Sequence, residues 1–394
     1  MPVASLDFAR GRRFDSPPVP LAYYYWLFAS FAFVLGAVVG SFLNVCIYRM
    51  PLNLSVNEPR RSFCPHCKKQ IPWTQNLPLI SWLALRGKCA NCKAPIAFRY
   101  FGVELLTAAL FLAVWLKYWA AGEWVLALPG WIFVGLLVVA TFIDFEHFII
   151  PDEITWGGAV AGIILSSAIP PMMQGSLPAG WPLNSLWSGL WSVLGAAVGF
   201  ALLWCVVELG KKVFGKKRIA FDQAEKFTWT RDGDDADLQA GSDTMRWSDV
   251  FSRETDVLIM QCSEAQIGEK KYKNVALRFF YDRVVVESDE YPLDKLDALA
   301  GIVTEITIPR EAMGFGDVKF IAAIGAFLGW QAVLFTIMSA SVLGAVIGLF
   351  TILVGKREWS AKIPFGPYLA LGSLIWLFAG WDIVGWYART MFPR

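Results

Sequence analysis

The sequence has little charge for its length, and the charge that it carries is almost balanced. Only 17% of its 394 residues are charged, and 35 basic against 33 acidic side chains leave a net charge of +2. This balance gives no electrostatic reason to expect a nucleic-acid partner. Because 56% of the residues are hydrophobic, a disordered chain, a collagen-like chain and a small disulfide-stapled secreted domain are also excluded.

Long apolar runs take up much of the chain, and the mean hydropathy is +0.47. A membrane span needs about 20 mostly apolar residues. Seven candidates lie at residues 22–47, 101–119, 130–149, 155–172, 186–209, 331–355 and 363–387, with a shorter eighth at 317–330. The first run has no small-residue cleavage pattern at its end, so it is expected to remain as an anchor. We therefore predict an all-α polytopic membrane protein with about eight transmembrane helices.

The distribution of charge divides the chain further. Between Lys211 and Glu311 there are 16 basic and 20 acidic residues, which indicates an aqueous segment. Its stretches TDVLIMQC, NVALRFFY and RVVVES are rich in β-branched and aromatic residues, so a small β-rich domain is predicted there. The predicted parts are the first segment and helix at 1–48, a cysteine loop at 49–100, helices at 101–210, the insert at 211–310 and C-terminal helices at 311–394.

Basic residues beside the spans predict the orientation. Nine Lys or Arg residues but only one acid, Glu58, lie from Arg49 to Arg99. Further basic segments, KKVFGKKR and KREWSAK, follow the fifth and seventh runs. Short loops rich in Lys and Arg remain in the cytoplasm, so the cysteine loop and the insert are expected on that side. Three arginines before the first span, at positions 10, 12 and 13, oppose this assignment.

The cysteine loop has the spacing of a metal site. Cys64 and Cys67 form one Cys-x-x-Cys pair, and Cys89 and Cys92 form a second after 21 intervening residues. Two such pairs can offer four thiolates to one tetrahedral zinc ion. The alternative is a pair of disulfides or free thiols, and a reducing cytoplasm disfavours the disulfides. His66 is a weaker candidate ligand, because four cysteines already complete the set.

Two aspartates stand at the ends of apolar runs. Asp144 follows WIFVGLLVVATFI, and Asp317 begins the short eighth run. Ionisable groups in such places are costly and are candidates for function. Two carboxylates at equal depth on different helices can share a proton and polarise one water, as in an aspartic protease. Gly314 and Gly316 would let an extended substrate backbone approach closely.

A structural explanation of the same residues stays open. Asp144 and Asp317 could cap helix ends or pair with His147 and Lys319. Other acids lie near the first aspartate, at positions 146, 152 and 153, and could assist it or be mistaken for it.

Five segments, in order, resemble one family. They are GSFLNVCIYRMP at 40–51, the two cysteine pairs, RYFGVELLTA at 99–108, IDFEHFIIPD at 143–152 and GFGDVKF at 314–320. Together they resemble the type IV prepilin peptidases, also called prepilin leader peptidase/N-methyltransferases. The resemblance fails over the insert: 172 residues separate Asp144 from Asp317, more than is usual in the family.

The resemblance implies a multi-pass aspartic endopeptidase of the bacterial inner membrane, with its active site facing the cytoplasm. Such an enzyme removes the short basic leader of type IV prepilins or secretion pseudopilins after a glycine. It then methylates the new N-terminal amine with S-adenosylmethionine. Asp144 and Asp317 would be the catalytic pair. The cysteine loop would be the zinc-type loop of bifunctional members, and pilus or secretion assembly proteins would be possible partners.

No sequence signal locates S-adenosylmethionine, because no strand followed by Gly-x-Gly-x-x-Gly is present. Asn44, Arg49 and Glu104 are candidate contributors at the cytoplasmic face. Each could equally be a cap, a snorkelling anchor or a helix-packing contact.

Three other functions compete with this interpretation. One is a peptidase without methylation, and another is a proton-coupled carrier with a zinc-stapled loop. A carrier is disfavoured because no repeated hydropathy pattern relates the two halves and both aspartates lie towards one face. The last is a membrane anchor for a zinc module and a β module, in which both aspartates could be replaced without loss.

Overall fold

The computed structural model describes residues 19–392 apart from short gaps. The gaps fall at residues 60–61, 65, 215, 233–234, 242, 252–256, 269, 297, 310–312 and 355–363. The described chain forms two units, one comprising the described residues up to Phe200 and from Gly316 onwards, and the other comprising those of Ala201–Phe315. The three arginines before the first span and the basic segment at 356–362 lie outside the described residues.

Ten α-helices lie within the described ranges. They are α1 (Val19–Arg49), α2 (Ile80–Ala84), α3 (Phe98–Ala121), α4 (Ala127–His147), α5 (Asp152–Ala168), α6 (Ser185–Phe214), α7 (Trp247–Val250), α8 (Phe315–Leu328), α9 (Trp330–Leu353) and α10 (Gly366–Met391). Each of the eight predicted apolar runs overlaps one of these helices.

Six of the described helices are long and apolar enough to cross a membrane. These candidate spans are Tyr24–Leu52, Phe98–Ala121, Trp124–His147, Ser185–Lys212, Trp330–Thr351 and Gly366–Met391. The protein is therefore a multi-pass membrane protein. Helices α5 and α8 have only 17 and 14 residues, and 14 residues reach about 21 Å against a hydrocarbon core of about 30 Å. The count of eight spans stays a prediction.

The short helix α8 is held by close backbone packing. A methyl group added at Gly195 of α6 would lie 2.2 Å from the carbonyl oxygen of Gly325, and one added at Gly325 would lie 2.2 Å from the oxygen of Gly195. On α5, a methyl group at Gly162 would lie 2.9 Å from Ala326 Cβ. Small residues of this kind let helices approach in a membrane. Because α8 is buried from Phe320 to Phe327, it is covered by protein.

The second unit contains an eight-stranded antiparallel sheet, which confirms the predicted β-rich region. Its strands are β1 (Lys216–Asp232), β2 (Asp235–Ala240), β3 (Asp243–Arg246), β4 (Leu258–Ile267), β5 (Lys270–Phe279), β6 (Arg283–Val286), β7 (Asp289–Pro292) and β8 (Ala298–Pro309). Their order across the sheet is β3-β2-β1-β8-β4-β5-β6-β7. Alternate side chains, among them Phe227, Met260, Leu277 and Phe279, are fully buried in one apolar core.

The three predicted strands fall on β4, β5 and β6. The long strands β1 and β8 were not predicted, although both lie in the middle of the sheet. The sequence of β1, KKRIAFDQAEKFTWTRD, interrupts its apolar positions with charge. Strand β8 contains Gly301, where a methyl group would lie 2.3 Å from the carbonyl oxygen of Glu264 on β4. Glycine weakens a strand signal, but here it permits close strand pairing.

The packing of α8 makes a testable prediction. Gly195→Val is expected to lower the free energy of unfolding by about 1–3 kcal/mol or more, because the added atoms collide with backbone of α8. Tryptophan fluorescence during chemical denaturation in detergent measures the change. Gly157→Val on α5 is the matched control, because nothing lies within 4 Å of a methyl group at that position. Equal stability of the two variants would contradict this packing.

Candidate active site

Asp144 lies in the last turn of α4 and is directed into the helix bundle. Its side chain is buried, with a relative exposure of 5%. The Oδ2 atom accepts a hydrogen bond from the backbone N–H of Gly366 at 2.9 Å. Gly366 is the first residue of α10, so the carboxylate faces the partly positive start of that helix. A methyl group at Gly366 would lie 2.7 Å from the same oxygen, so a larger residue would displace the carboxylate.

Asp317 lies in the first turn of α8 and is also buried, with a relative exposure of 7%. Its Oδ1 atom has no hydrogen-bond partner among the described residues. Asp144 is close enough to act on Asp317 through its charge. Buried polar atoms without a partner are unusual and often mark functional sites. The structure therefore brings the two aspartates together across the 172 intervening residues.

The loop from α4 to α5 packs against the starts of α8 and α10. A methyl group at Gly316 would lie 3.3 Å from the backbone nitrogen of Ile150, and one at Gly366 would lie 3.0 Å from Ile150 Cδ1. The loop turns at Phe148, which has a left-handed φ of 55°. Two glycines thus make room for Ile150. Gly314, the other glycine of the predicted motif, is exposed just before α8.

The titratable residues that follow Asp144, up to position 153, are exposed, and two of them form ion pairs. Glu146 forms an ion pair with Arg99. Asp152 Oδ1 lies 2.6 Å from Lys319 Nζ, so this lysine, considered above as a partner of Asp317, pairs with another acid. His147 and Glu153, like Glu146 and Asp152, are exposed. Among these acids, only Asp144 and Asp317 are buried.

The four cysteines of the loop converge. Their sulfur atoms all lie within 4.8 Å of one another, and the sulfurs of Cys64 and Cys92 are 3.8 Å apart. Four sulfurs placed about 2.3 Å from one tetrahedral ion would be separated by about 3.8 Å. All four cysteines are free of disulfides. The cluster can therefore hold a metal ion.

Each cysteine pair is shaped by the same turn. The N–H of Lys68 donates to the Cys64 carbonyl and that of Lys93 donates to the Cys89 carbonyl. Both lysines have a φ of 58°. Backbone N–H groups of Cys92 and Asn91 lower the pKa of the Cys89 thiol to about 6, which favours the thiolate that binds metal. His66 is exposed beside this cluster.

The three weaker candidates line one cavity between the cysteine loop, α1 and α3. Asn44 is buried, and its Nδ2 donates to the carbonyl of Tyr100 at 2.9 Å. Glu104 Oε2 accepts the backbone N–H of Leu79 at 2.7 Å. The guanidinium of Arg49 donates to the carbonyls of residues 55, 56 and 59. Arg49 therefore holds the start of the loop.

Gly366 was not identified from the sequence. Its segment, Pro-Phe-Gly-Pro at 364–367, precedes the last span, and such a Gly/Pro cluster is typical of a break before a helix. That signal predicts the boundary of a helix. It does not predict contact with Asp144, which is 222 residues away in the sequence.

The fold and the buried pair define a class: a polytopic membrane protein with two aspartates at the ends of separate helices. Two family models match the chain. The bacterial peptidase A24 N-terminal domain matches residues 34–118, and the type IV leader peptidase family matches residues 131–222 and 296–349. The second match leaves out most of the insert.

Curated proteins named prepilin leader peptidase/N-methyltransferase match nearly the whole chain. The protein of Stutzerimonas stutzeri is 30% identical, over 91% of this chain and 93% of its own length. That of Aeromonas hydrophila is 29% identical, over 92% and 94%. That of Myxococcus xanthus is 32% identical, over 84% of this chain and 65% of its own length. The chain belongs to the type IV leader peptidase family. No solved structure matches it.

Proposed function

We propose that this protein is a membrane aspartic endopeptidase that removes the leader of type IV prepilins or prepilin-like secretion pseudopilins. It then N-methylates the new N-terminal residue. The burial of Asp144 and Asp317 within electrostatic range of each other carries the proposal, because aspartic hydrolysis uses two nearby carboxyl groups. The names of relatives that match nearly the whole chain support both activities.

The two aspartates would divide the work of hydrolysis. One carboxylate takes a proton from a water molecule, whose oxygen then attacks the carbonyl carbon of the scissile peptide. The other, protonated, donates to the carbonyl oxygen. As the C–N bond breaks, the first carboxyl gives the proton taken from water to the leaving nitrogen, and the second recovers its proton as the carbonyl re-forms. Asp144 is held by the N–H of Gly366, while Asp317 has an oxygen without a partner in the described chain. We assign no fixed order of roles to the two.

The membrane position of the pair suits a substrate with an apolar helix and a basic leader. Asp144 lies in the last turn of α4, at the end of a candidate span. The basic residues from Arg49 to Arg99 support a cytoplasmic position for that end, hence an inner-membrane enzyme that cuts at the cytoplasmic face. Gly314 and Gly316 would border the path of the extended leader.

The cysteine cluster would hold a structural zinc ion. Its four sulfurs and their spacing fit a closed tetrahedral site, which leaves no open position for catalysis. Zinc would fix the two turns that carry the pairs, because the loop has few long elements of its own. Zinc would thereby fix the part of the loop that lines the cavity next to α1 and α3.

S-adenosylmethionine would supply a methyl group on a positively charged sulfur for transfer to the amine that proteolysis releases. The amine nitrogen must lose a proton to attack, and the sulfur leaves as a neutral thioether. The assignment of methylation to this chain follows the names of its relatives.

A proton-coupled carrier is not favoured. A carrier site belongs near the middle of the membrane, whereas Asp144 and Asp317 lie in the last turn of α4 and the first turn of α8. We assign no role to the insert at 211–310. Assembly proteins of a pilus or secretion system stay candidate partners.

Asp144→Asn and Asp317→Asn are each expected to slow leader cleavage at least about a hundredfold, because each removes one half of the acid–base pair. Mass spectrometry of a prepilin-like substrate, incubated with purified protein and S-adenosylmethionine in detergent, measures both shortening and methylation. Glu153→Gln is the matched control, because this nearby acid is exposed.

The outcomes separate the candidate functions. Wild-type product that is shortened but unmethylated would leave a peptidase alone. Aspartate variants that cut as fast as wild type would contradict the catalytic assignment. If folded wild-type protein cleaves no substrate, the peptidase proposal fails and the carrier and anchor hypotheses become the favoured ones.

Zinc gives an independent prediction. Purified protein is expected to contain about one zinc ion per chain by mass spectrometry of the metal. Cys64→Ser and Cys89→Ser should lose it and lower stability and methylation, and acid should release it because thiolates must stay deprotonated. Cys205→Ser, an exposed position on α6, should keep it. Zinc-free wild-type protein with an intact fold would refute the site.

A further inference from the structure

The cavity between the cysteine loop, α1 and α3 has the size of a small-molecule site. Its volume is about 550 Å³, within the range of about 300–1,000 Å³ typical of ligand pockets. Its walls come from α1, from α3 and from both cysteine turns. Nothing in the hydrolysis described above uses it.

Two hydrogen-bond acceptors, Asn44 and Glu104, line this cavity. Arg49, a cation in the same lining, donates to three loop carbonyls. The Oδ1 atom of Asn44 is buried and has no partner among the described residues. The Glu104 carboxylate accepts from Leu79 N–H and from Ser41, and no basic side chain in the described part of the chain forms an ion pair with it. Carboxylates have room for about four such bonds. The site therefore favours a ligand with donors and positive charge.

The two helices that carry the acceptors pack closely against each other. A methyl group at Gly40 on α1 would lie 2.8 Å from the Cα of Glu104 on α3. Asn44 follows Gly40 by four residues, so both are on the same face of α1. The acceptors thus belong to rigid helices, as a specific site requires.

The remaining wall is aromatic. Trp82 and Phe101 line the cavity, and their ring centroids are 5.2 Å apart. Tyr48 and Tyr100 also line it. Such a wall suits a flat heteroaromatic ring, while the acceptors suit a cationic end. A purine that is joined to a sulfonium and an ammonium group has both the flat ring and the cationic end.

The cavity shares part of its wall with a second cavity. A second cavity of about 440 Å³ shares Tyr48, Ala97 and Tyr100 with it and reaches Glu146 and His147. These two residues follow Asp144 on α4. The two cavities therefore lie on the side of the protein where the carboxyl end of α4 is found.

We propose that this cavity binds S-adenosylmethionine, with Glu104 and Asn44 accepting from its cationic end and the aromatic wall contacting its adenine. The inference rests on the proposed methyltransferase function and names the site for it. Arg49, whose guanidinium already binds three loop carbonyls, would hold the wall and would not bind the ligand.

Binding of radiolabelled S-adenosylmethionine to full-length protein in detergent tests the proposal. Glu104→Gln keeps the shape but removes the charge, and Asn44→Leu removes the acceptor. Each should weaken binding about tenfold or more, the effect of losing one charge-assisted hydrogen bond. Glu123→Gln, an exposed acid just beyond the other end of α3, should bind like wild type. Zinc content checks that each variant retains its loop.

Ultraviolet cross-linking of the labelled ligand to wild-type protein gives a second readout that needs no variant. Peptide mapping should place the label within residues 41–49 or 81–104, which contain much of the aromatic wall. Label confined to segments other than 41–49 and 81–104, or Glu104→Gln that binds normally, would overturn the site while leaving methylation intact. Failure of wild type to bind would overturn both the site and the methyltransferase function, while leader cleavage would still stand on its own assay.

Discussion

The burial of two carboxylates beside each other is the constraint on which the rest of this structure depends. Like charges repel strongly where water is scarce, so such a pair holds one proton between its two carboxyls. The surrounding backbone keeps these carboxyls in position. Here α10 supplies the N–H of Gly366 to Asp144. The glycine contacts between α6 and α8 fix the helix that carries Asp317. Close backbone packing therefore holds the two buried carboxyl groups in place, although their burial is electrostatically unfavourable.

The cysteine loop is held in place by turns and side-chain contacts, because its described part lacks long helices. Its described helices are short, and it folds onto α1 and α3 through two matched turns whose sulfurs converge. Arg49 ties the beginning of the loop to the end of α1. With the loop in place, the cavity at Glu104 shares Tyr48, Ala97 and Tyr100 with a second cavity, which is lined by Glu146 and His147 of α4. Cleavage and methylation would then be neighbouring events on one face of one protein.

Local patterns made much of this architecture predictable. Apolar runs predicted the helices, and Cys-x-x-Cys spacing predicted the sulfur cluster, because each depends on residues close in the sequence. Asp144 and Asp317 could be nominated from their positions at the ends of apolar runs. Local patterns could not predict that Asp144 and Asp317 lie near each other, that Gly366 contacts Asp144, or that a cavity forms at Glu104. Each of these depends on packing between distant segments. The central strands β1 and β8 were missed since charge and glycine obscure their alternation.

The most direct test of the central claim is the rate of leader cleavage by wild type, by Asp144→Asn, by Asp317→Asn and by the variant that carries both changes. Residues that act as one unit give strongly non-additive losses. The account predicts that the double variant is no slower than either single variant. If the fold-reductions in rate of the two single variants multiply in the double variant, the two aspartates do not share a proton and a water. If a single variant cuts at the wild-type rate, that aspartate is not catalytic.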